Sequence, residues 1–129
     1  MAVYLDSSAA IKLVVHEPES AALRVWLKAH PRRVSSAIIR TEILRAVRRL
    51  EPGRVERAAK ALKGMTLHAV DDDVLMSAAY LGPVALRSLD AIHLATALRM
   101  ADEFEAIVTY DRRMIAGARA LGLPVASPA

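Results

Sequence analysis

The chain alternates short apolar runs of strand-forming residues with segments whose apolar residues recur at helical spacing. Ala2–Leu5 is the first such run, and Ile39, Ile43 and Val47 mark one of the helical segments. This alternation favours a parallel sheet, because two parallel neighbours must be joined by a crossover connection that is usually a helix. We therefore predict an α/β fold with three layers, α/β/α, around a mainly parallel central sheet.

The predicted elements extend over the whole chain, with no linker, internal repeat or low-complexity tract between them, so one domain is expected over residues 1–129. The predicted strands are Ala2–Leu5, Arg33–Ser36, Met65–Ala69, Ala106–Tyr110 and Pro124–Ala126. The predicted helices run from Ala9 to before Pro18, from about Pro18 to His30, from Ile39 to Leu50, over Val55–Lys63, Asp71–Ala79 and Leu89–Ala101, and after Asp111 to Leu121.

Composition limits the possible sites and the compartment. Apolar residues make up 54% of the 129 residues, which is enough for a proper core. The absence of cysteine excludes disulfides, thiolate zinc sites and a cysteine nucleophile, and it fits a reducing cytosol. The longest uncharged run, Val74–Leu86, is too short to span a bilayer, and Met1–Val15 lacks the basic leader of a secretory signal. A cytoplasmic protein without a membrane segment is expected.

Several common functional motifs are missing. The glycines form neither a dinucleotide-binding fingerprint nor a phosphate-binding loop, and no G-x-S-x-G turn is present for a serine nucleophile. The four histidines are too dispersed for a helical zinc motif. Carboxylates in unusual positions remain as the candidate chemistry.

Asp6 and Asp111 each follow a predicted strand directly. In a parallel α/β sheet both would lie at the carboxyl ends of strands, where ligands bind. Each is also placed to cap the helix that it precedes, which aspartate does well. The sequence leaves open which of these two roles applies to each residue.

Glu42 and Asp90 lie near the starts of helices. Glu42 is the only acid within Ser35–Leu50, and Asp90 is in the first turn of an apolar helix, where the helix dipole favours an acid. Carboxylates that crowd together need a cation, because they repel one another and burial raises their pKa values. Mg²⁺ or Mn²⁺ would supply one, since hard cations prefer oxygen ligands.

Segments in the same order as in a known family carry this further. Asp6-Ser7-Ser8, Glu42, Leu89–Ala97 and Val108–Asp111 resemble the PIN-domain ribonucleases, and more narrowly the VapC-type toxins of bacterial toxin–antitoxin pairs. The resemblance implies a PIN-like domain with metal-dependent endoribonuclease activity, a cognate antitoxin, an RNA substrate and a homodimer. It implies that the catalytic and metal-binding acids are Asp6, Glu42, Asp90 and Asp111.

Candidate substrate contacts surround these acids. Arg45 and Arg49 follow Glu42 by about one and two helical turns, so we expect them to contact RNA phosphates. Ser8 and Thr109 are candidates to orient a metal-bound water or substrate, although local backbone capping is an equal alternative. With neither asparagine nor glutamine in the chain, side-chain amides cannot read base edges.

Other residues have simpler interpretations. His93 lies one turn after Asp90, and the sequence leaves open whether it packs structurally, its more common role, or contacts the site. The acidic run Asp71–Asp73 fits helix capping better than a second metal site. Val15 and Trp26 are predicted to help form a groove for the helix of an antitoxin.

Two other functions compete with the nuclease. A phosphatase of the haloacid-dehalogenase type would use Asp6 as its nucleophile, but that pattern requires a second aspartate where Ser8 stands. A catalytically silent PIN-like module would bind RNA or a partner without cleaving, and the retention of all four acids opposes it.

Overall fold

The computed structural model describes residues 1–129 and contains five strands and seven α-helices. The strands are β1 (Ala2–Leu5), β2 (Arg33–Ser36), β3 (Thr66–His68), β4 (Phe104–Val108) and β5 (Val125–Ala126). The helices are α1 (Ser7–Lys12), α2 (Ser20–Lys28), α3 (Ile39–Leu50), α4 (Val55–Lys63), α5 (Asp72–Ala79), α6 (Ser88–Arg99) and α7 (Arg112–Ala120). None of these helices is long and apolar enough to cross a membrane.

All the strand pairings are parallel, and the strand order is β3-β2-β1-β4-β5. Strands β2 and β3 therefore lie on one side of β1, and β4 and β5 lie on its other side. The carboxyl ends of β1 and β4 flank the point where the order reverses, which is where ligands bind in open α/β sheets.

The central strand β1 is buried on both faces, as alternation of side chains along a strand requires. Val3 and Leu5 pack against residues of α1 to α4 on one face. Ala2 and Tyr4 pack against residues of α6 and α7 on the other face, while α5 packs against α6. The predicted three-layer α/β/α fold with a parallel sheet is confirmed.

The first two helices are shorter than predicted. Helix α1 ends at Lys12 and α2 begins at Ser20, and the residues between them form turns. The Ser20 hydroxyl accepts a hydrogen bond from the Glu17 amide and donates to the Val15 carbonyl, so side-chain bonds replace helical ones in this connection. Lys12 is buried there and bridges the carboxylates of Glu17 and Glu19.

The fourth strand was predicted too late in the chain. It ends at Val108, so Thr109, and not Asp111, is the first residue after it. The Thr109 hydroxyl accepts a hydrogen bond from the Asp111 amide at 3.2 Å, which turns the chain out of the sheet before the helix begins. Thr109 thus takes the strand-end position in β4 that Asp6 takes in β1.

Candidate active site at the carboxyl edge of the sheet

Asp6 is a buried carboxylate at the end of β1, with only 4% of the residue exposed. Its Oδ1 accepts hydrogen bonds from the Ala9 amide at 3.0 Å and from the Ser8 hydroxyl at 2.7 Å. Its Oδ2 accepts a hydrogen bond from the Thr109 hydroxyl at 2.5 Å, which crosses from β4 to β1. Asp6 therefore caps α1 and also lies at the switch point, so both proposed roles apply to it.

The electrostatic environment of Asp6 contains opposing effects. Burial raises the pKa of Asp6 above its usual range, while the hydrogen bonds from Thr109, Ser8 and Ala9 act in the opposite direction and lower this pKa. The pKa of Asp6 remains above its usual range, because the effect of removing the carboxylate from water is larger than the stabilisation of its charge by these hydrogen bonds. An additional cation at this edge would favour the ionised form.

Asp111 caps the next helix at the same edge. Its Oδ1 accepts hydrogen bonds from the amides of Arg113 at 2.8 Å and Met114 at 3.3 Å, and the residue is exposed. Its Oδ2 has no hydrogen-bond partner within the protein. Capping of α7 therefore occupies only one of the two oxygens.

Asp90, in the first turn of α6, senses the negative charge of Asp111. Burial is the main cause of a raised pKa of Asp90, and repulsion from Asp111 raises this pKa further. His93 and Arg87 partly offset the shift. The structure thus brings Asp90 and Asp111 close enough for their charges to repel.

Glu42 is held by a histidine. The Nε2 atom of His93 lies 2.6 Å from Oε1 of Glu42, and its Nδ1 atom lies 2.8 Å from the hydroxyl of Tyr4. His93 is 2% exposed. The site therefore includes a buried Tyr4–His93–Glu42 chain of hydrogen bonds.

The loop that follows β4 is fastened by the end of the chain. The Ser127 hydroxyl donates to the Thr109 carbonyl, and the Tyr110 hydroxyl donates to the Pro128 carbonyl at 2.6 Å. Burial, and then the charges of Glu19 and Asp6, raise the pKa of Tyr110 to about 12, so its hydroxyl remains a donor at neutral pH. These bonds fix the backbone that carries Thr109.

Pairwise interactions involve three of the candidate acids, since Asp90 repels Asp111 and His93 binds Glu42, but the four acids do not form a closed set of ligands. No group of three or more His, Cys, Asp or Glu side chains is arranged to hold a metal ion. Their chemistry nevertheless fits Mg²⁺ or Mn²⁺, because Mg²⁺ keeps several waters and usually binds through one or two carboxylates plus substrate phosphates. The repulsion between Asp90 and Asp111 supports the fit, since a divalent cation would neutralise it.

Arg45 and Arg49 extend the site along α3. Both are exposed, and none of the ion pairs in the protein involves either of them. They line a groove of about 690 Å³ together with Glu42. The rest of its lining comes from Ser7, Ile11, Ile38, Thr41, Ala46 and Leu89. The guanidinium groups are therefore free to bind an anionic ligand that enters beside Glu42.

The hydroxyls of Ser8 and Thr109 bind Asp6 in the structure, and the Ser8 hydroxyl also accepts a hydrogen bond from the Tyr110 amide at 2.9 Å. Their contact with substrate remains a prediction.

Sequence reasoning missed Tyr4, which looked like an ordinary strand residue. The available signal was its position two residues before Asp6, on the opposite sheet face from Leu5.

Comparison with known proteins gives consistent results. The family profile described as "PIN domain" matches residues 3–120. Ribonuclease VapC46 of Mycobacterium tuberculosis is 49% identical over 129 residues, which cover 98% of this chain and 98% of that protein.

Solved structures share the fold. Mycobacterium tuberculosis VapC20, described as a sarcin–ricin-loop-cleaving toxin, superposes with a TM-score of 0.77 at 17% identity, over 98% of this chain and 100% of that chain. A chain of a toxin–antitoxin complex from Klebsiella pneumoniae superposes with a TM-score of 0.72 at 23% identity, over 100% of this chain and 98% of that chain.

The raised pKa of Asp90 predicts that Asp90→Asn melts at a higher temperature than the wild type at neutral pH in EDTA. Folding raises the pKa of Asp90, so its carboxyl binds a proton more tightly in the folded protein than in the unfolded chain. The free energy of unfolding therefore falls as the pH rises from the pKa of the carboxyl in the unfolded chain to its pKa in the folded protein. The asparagine removes this cost. Below about pH 3.9, where an unfolded aspartate is also protonated, the difference in melting temperature should close.

Glu56→Gln is the matched control, because Glu56 is an exposed acid in the first turn of α4. It loses the same favourable interaction with the helix dipole, so it should melt at the same or a slightly lower temperature than the wild type. A lower melting temperature for Asp90→Asn in EDTA at pH 7 would show that Asp90 serves only as a structural acid of the helix start.

Proposed function

This chain belongs to the PIN-domain family, and we propose that it is a metal-dependent endoribonuclease, the toxin of a type II toxin–antitoxin pair in the cytoplasm. The observation that carries the proposal is the buried Asp6 carboxylate at the switch point of the sheet, with Asp90 and Asp111 repelling each other at the same edge. The relative VapC46, which matches nearly the full length of the chain, is named a ribonuclease. The carboxylates at this edge of the sheet and the name of the relative therefore both support the cleavage of RNA.

In the proposed reaction, water attacks the phosphorus of an RNA phosphodiester and the P–O bond to one ribose oxygen breaks. That oxygen leaves as a hydroxyl after taking up a proton, the attacking water loses one, and no covalent bond to the protein forms. When bound, Mg²⁺ or Mn²⁺ would make the water more acidic and would stabilise the charge that develops on the phosphate. Asp6, Glu42, Asp90 and Asp111 would hold the ion. Ser8 and Thr109 orient the Asp6 carboxylate, and by donating to it they favour its ionised form.

The residue at position 8 opposes the phosphatase alternative. That pattern requires a second aspartate there, whereas Ser8 is present and donates its hydroxyl to Asp6. The silent binding module is opposed by the presence of all four acids, because carboxylates such as Asp90 and Asp111 repel each other and would also repel the phosphates of a bound RNA. Failure to trap a phosphorylated Asp6 would agree with this assignment.

The groove beside Glu42 is the proposed path of the RNA backbone. Arg45 and Arg49 lie one helical turn apart on α3, and each can bind a phosphate with two hydrogen bonds. Because the chain lacks side-chain amides, base selection would depend on other donors, on the backbone and on RNA shape.

An antitoxin peptide is proposed to occupy the same groove. The Klebsiella pneumoniae structure that shares this fold is a toxin–antitoxin complex. Ile11, Ile38 and Leu89 offer an apolar floor, while the arginines would meet acidic residues of the peptide. Val15, predicted to help form the groove, is 8% exposed and packs in the core, so that part of the prediction was wrong. An occupant of this groove would exclude RNA.

A homodimer is proposed through the face formed by α5, the start of the following loop and α6. Met76, Tyr80 and Val84 are exposed there, and a cavity of about 620 Å³ lies between Tyr80 and Leu98. Soluble monomers rarely leave a large contiguous apolar patch in water. A second copy of the chain would cover these exposed side chains.

The nuclease proposal predicts that purified protein cleaves total bacterial RNA with Mg²⁺ or Mn²⁺ and not with EDTA. Asp90→Asn should lower the cleavage rate at least about 100-fold, since even the partners of metal ligands contribute 10- to 100-fold. Asp102→Asn is the matched control, because Asp102 is exposed beside the amino end of β4, and it should cleave normally. Cleavage by Asp90→Asn at the wild-type rate would contradict the assignment.

The groove proposal predicts that Arg45→Ala and Arg49→Ala weaken RNA binding, measured in the inactive Asp90→Asn background. Loss of one phosphate contact should reduce the slope of log Kd against log salt by about 0.7 for single-stranded RNA. Weakening should be similar for different sequences, as expected of backbone contacts. Arg57→Ala, an exposed arginine on α4, should leave affinity and slope unchanged, and an equal loss for Arg57→Ala would show a general charge effect.

The dimer proposal predicts that Tyr80→Arg converts a dimer into a monomer in sedimentation experiments at micromolar concentration. Burying an unpaired arginine at the centre of the interface would destabilise the dimer by more than the apolar contacts at that position stabilise it. Val25→Arg, on the exposed face of α2, introduces the same charge elsewhere and should remain dimeric. A wild-type chain that sediments as a monomer would refute this interface.

A further inference from the structure

His93 joins the two helical layers above the carboxyl edge of the sheet. Its helix, α6, packs on the face that carries Tyr4, whereas Glu42 belongs to α3 on the opposite face. The imidazole spans this gap, with Nδ1 at 2.8 Å from the Tyr4 hydroxyl and Nε2 at 2.6 Å from Glu42 Oε1. Tyr4 also packs edge-on against the ring, with the two ring planes at 88°. His93 is therefore held in a single orientation from both sides.

The chemistry of the partners fixes the direction of these hydrogen bonds. A carboxylate only accepts, so Nε2 carries the proton that is donated to Glu42. In a neutral imidazole, Nδ1 then accepts, and the Tyr4 hydroxyl donates to it. Burial raises the pKa of Tyr4, which keeps its hydroxyl protonated and available as that donor. The chain of bonds runs from Tyr4 through His93 to Glu42.

This arrangement leaves one oxygen of Glu42 unassigned. The Glu42 side chain is 13% exposed, and its Oε2 atom accepts no hydrogen bond within the protein. If Oε2 of Glu42 were buried, it would be a buried polar atom without a partner. The only such side-chain atom in the protein is Nε of Arg33, so Oε2 of Glu42 is accessible to solvent. His93 thus holds Oε1 and exposes Oε2 at the mouth of the arginine-lined groove.

We infer that Tyr4 and His93 form a positioning pair, which orients the Glu42 carboxylate so that Oε2 is presented to a divalent cation; this rests on the proposed metal-dependent function. Partners of metal ligands act in this way, by fixing the orientation of the ligand, and their removal typically lowers metal affinity 10- to 100-fold. Neither Tyr4 nor His93 touches the ion in this arrangement.

The test measures Mn²⁺ binding by titration calorimetry on the full chain, alongside melting in EDTA. His93→Ala should weaken Mn²⁺ binding 10- to 100-fold, because Glu42 loses its donor. His93→Gln should recover most of the affinity, since its amide nitrogen can take the place of Nε2 and donate to Glu42. Tyr4→Phe should weaken binding several-fold, because Nδ1 of His93 loses its donor and the imidazole keeps only one of the two hydrogen bonds that hold its orientation.

His30→Ala is the matched control. His30 also pairs with a glutamate, with Nε2 at 3.0 Å from Oε1 of Glu105, but it lies two residues beyond the end of α2. Its replacement should leave Mn²⁺ affinity unchanged. An equal loss of Mn²⁺ affinity in His30→Ala and His93→Ala would overturn the proposal.

A double-mutant cycle separates positioning from general structural support. In a Glu42→Ala background, replacing His93 by alanine should cause no further loss of Mn²⁺ affinity, because the residue to be positioned is gone. Additive losses would overturn the proposal, as would a folded His93→Ala protein that binds Mn²⁺ like the wild type. If the wild-type chain itself binds no Mn²⁺, the proposed metal-dependent function fails, and the positioning role fails with it.

Discussion

The burial of a single carboxylate, that of Asp6, is the constraint on which the rest of the structure depends. A carboxylate removed from water must be surrounded by donors, and here the donors come from the first turn of α1 and from the end of β4. Thr109 can reach Asp6 only because β4 pairs directly with β1 in parallel. The strand order therefore determines which side chain donates to the buried Asp6 carboxylate.

Helix capping and site formation are compatible because a carboxylate has two oxygens. Asp111 uses Oδ1 to cap α7, and Glu42 uses Oε1 to accept from His93. In both side chains the second oxygen has no partner within the protein. The fold thus fixes the orientation of each group through one oxygen and leaves the other for a ligand. Asp6 differs, since both of its oxygens are held and its place in the site is the most rigid.

Local patterns predicted elements well where a strong boundary signal was present. The limits of β2 and α4 agree with the prediction, and Gly64 directly after Lys63 is the signal that ends α4. The connection between α1 and α2 was predicted less well. Its hydrogen bonds are made by Ser20, whose partners depend on how the turn folds back on itself. The prediction placed β4 too late, because the turn after Val108 depends on side-chain bonds of Thr109.

The sequence by itself determined the layered parallel fold, the family to which the chain belongs and the acids at strand ends and helix starts. These follow from local periodicity and from residue types that recur at fixed spacing, which a linear reading can detect. Tertiary structure alone decided that Thr109 holds Asp6 and that Tyr4, through His93, holds Glu42. Tyr4 and His93 are 89 positions apart, and His93 and Glu42 are 51 apart. Only the packing of two helical layers on a shared sheet brings such distant groups within hydrogen-bond distance.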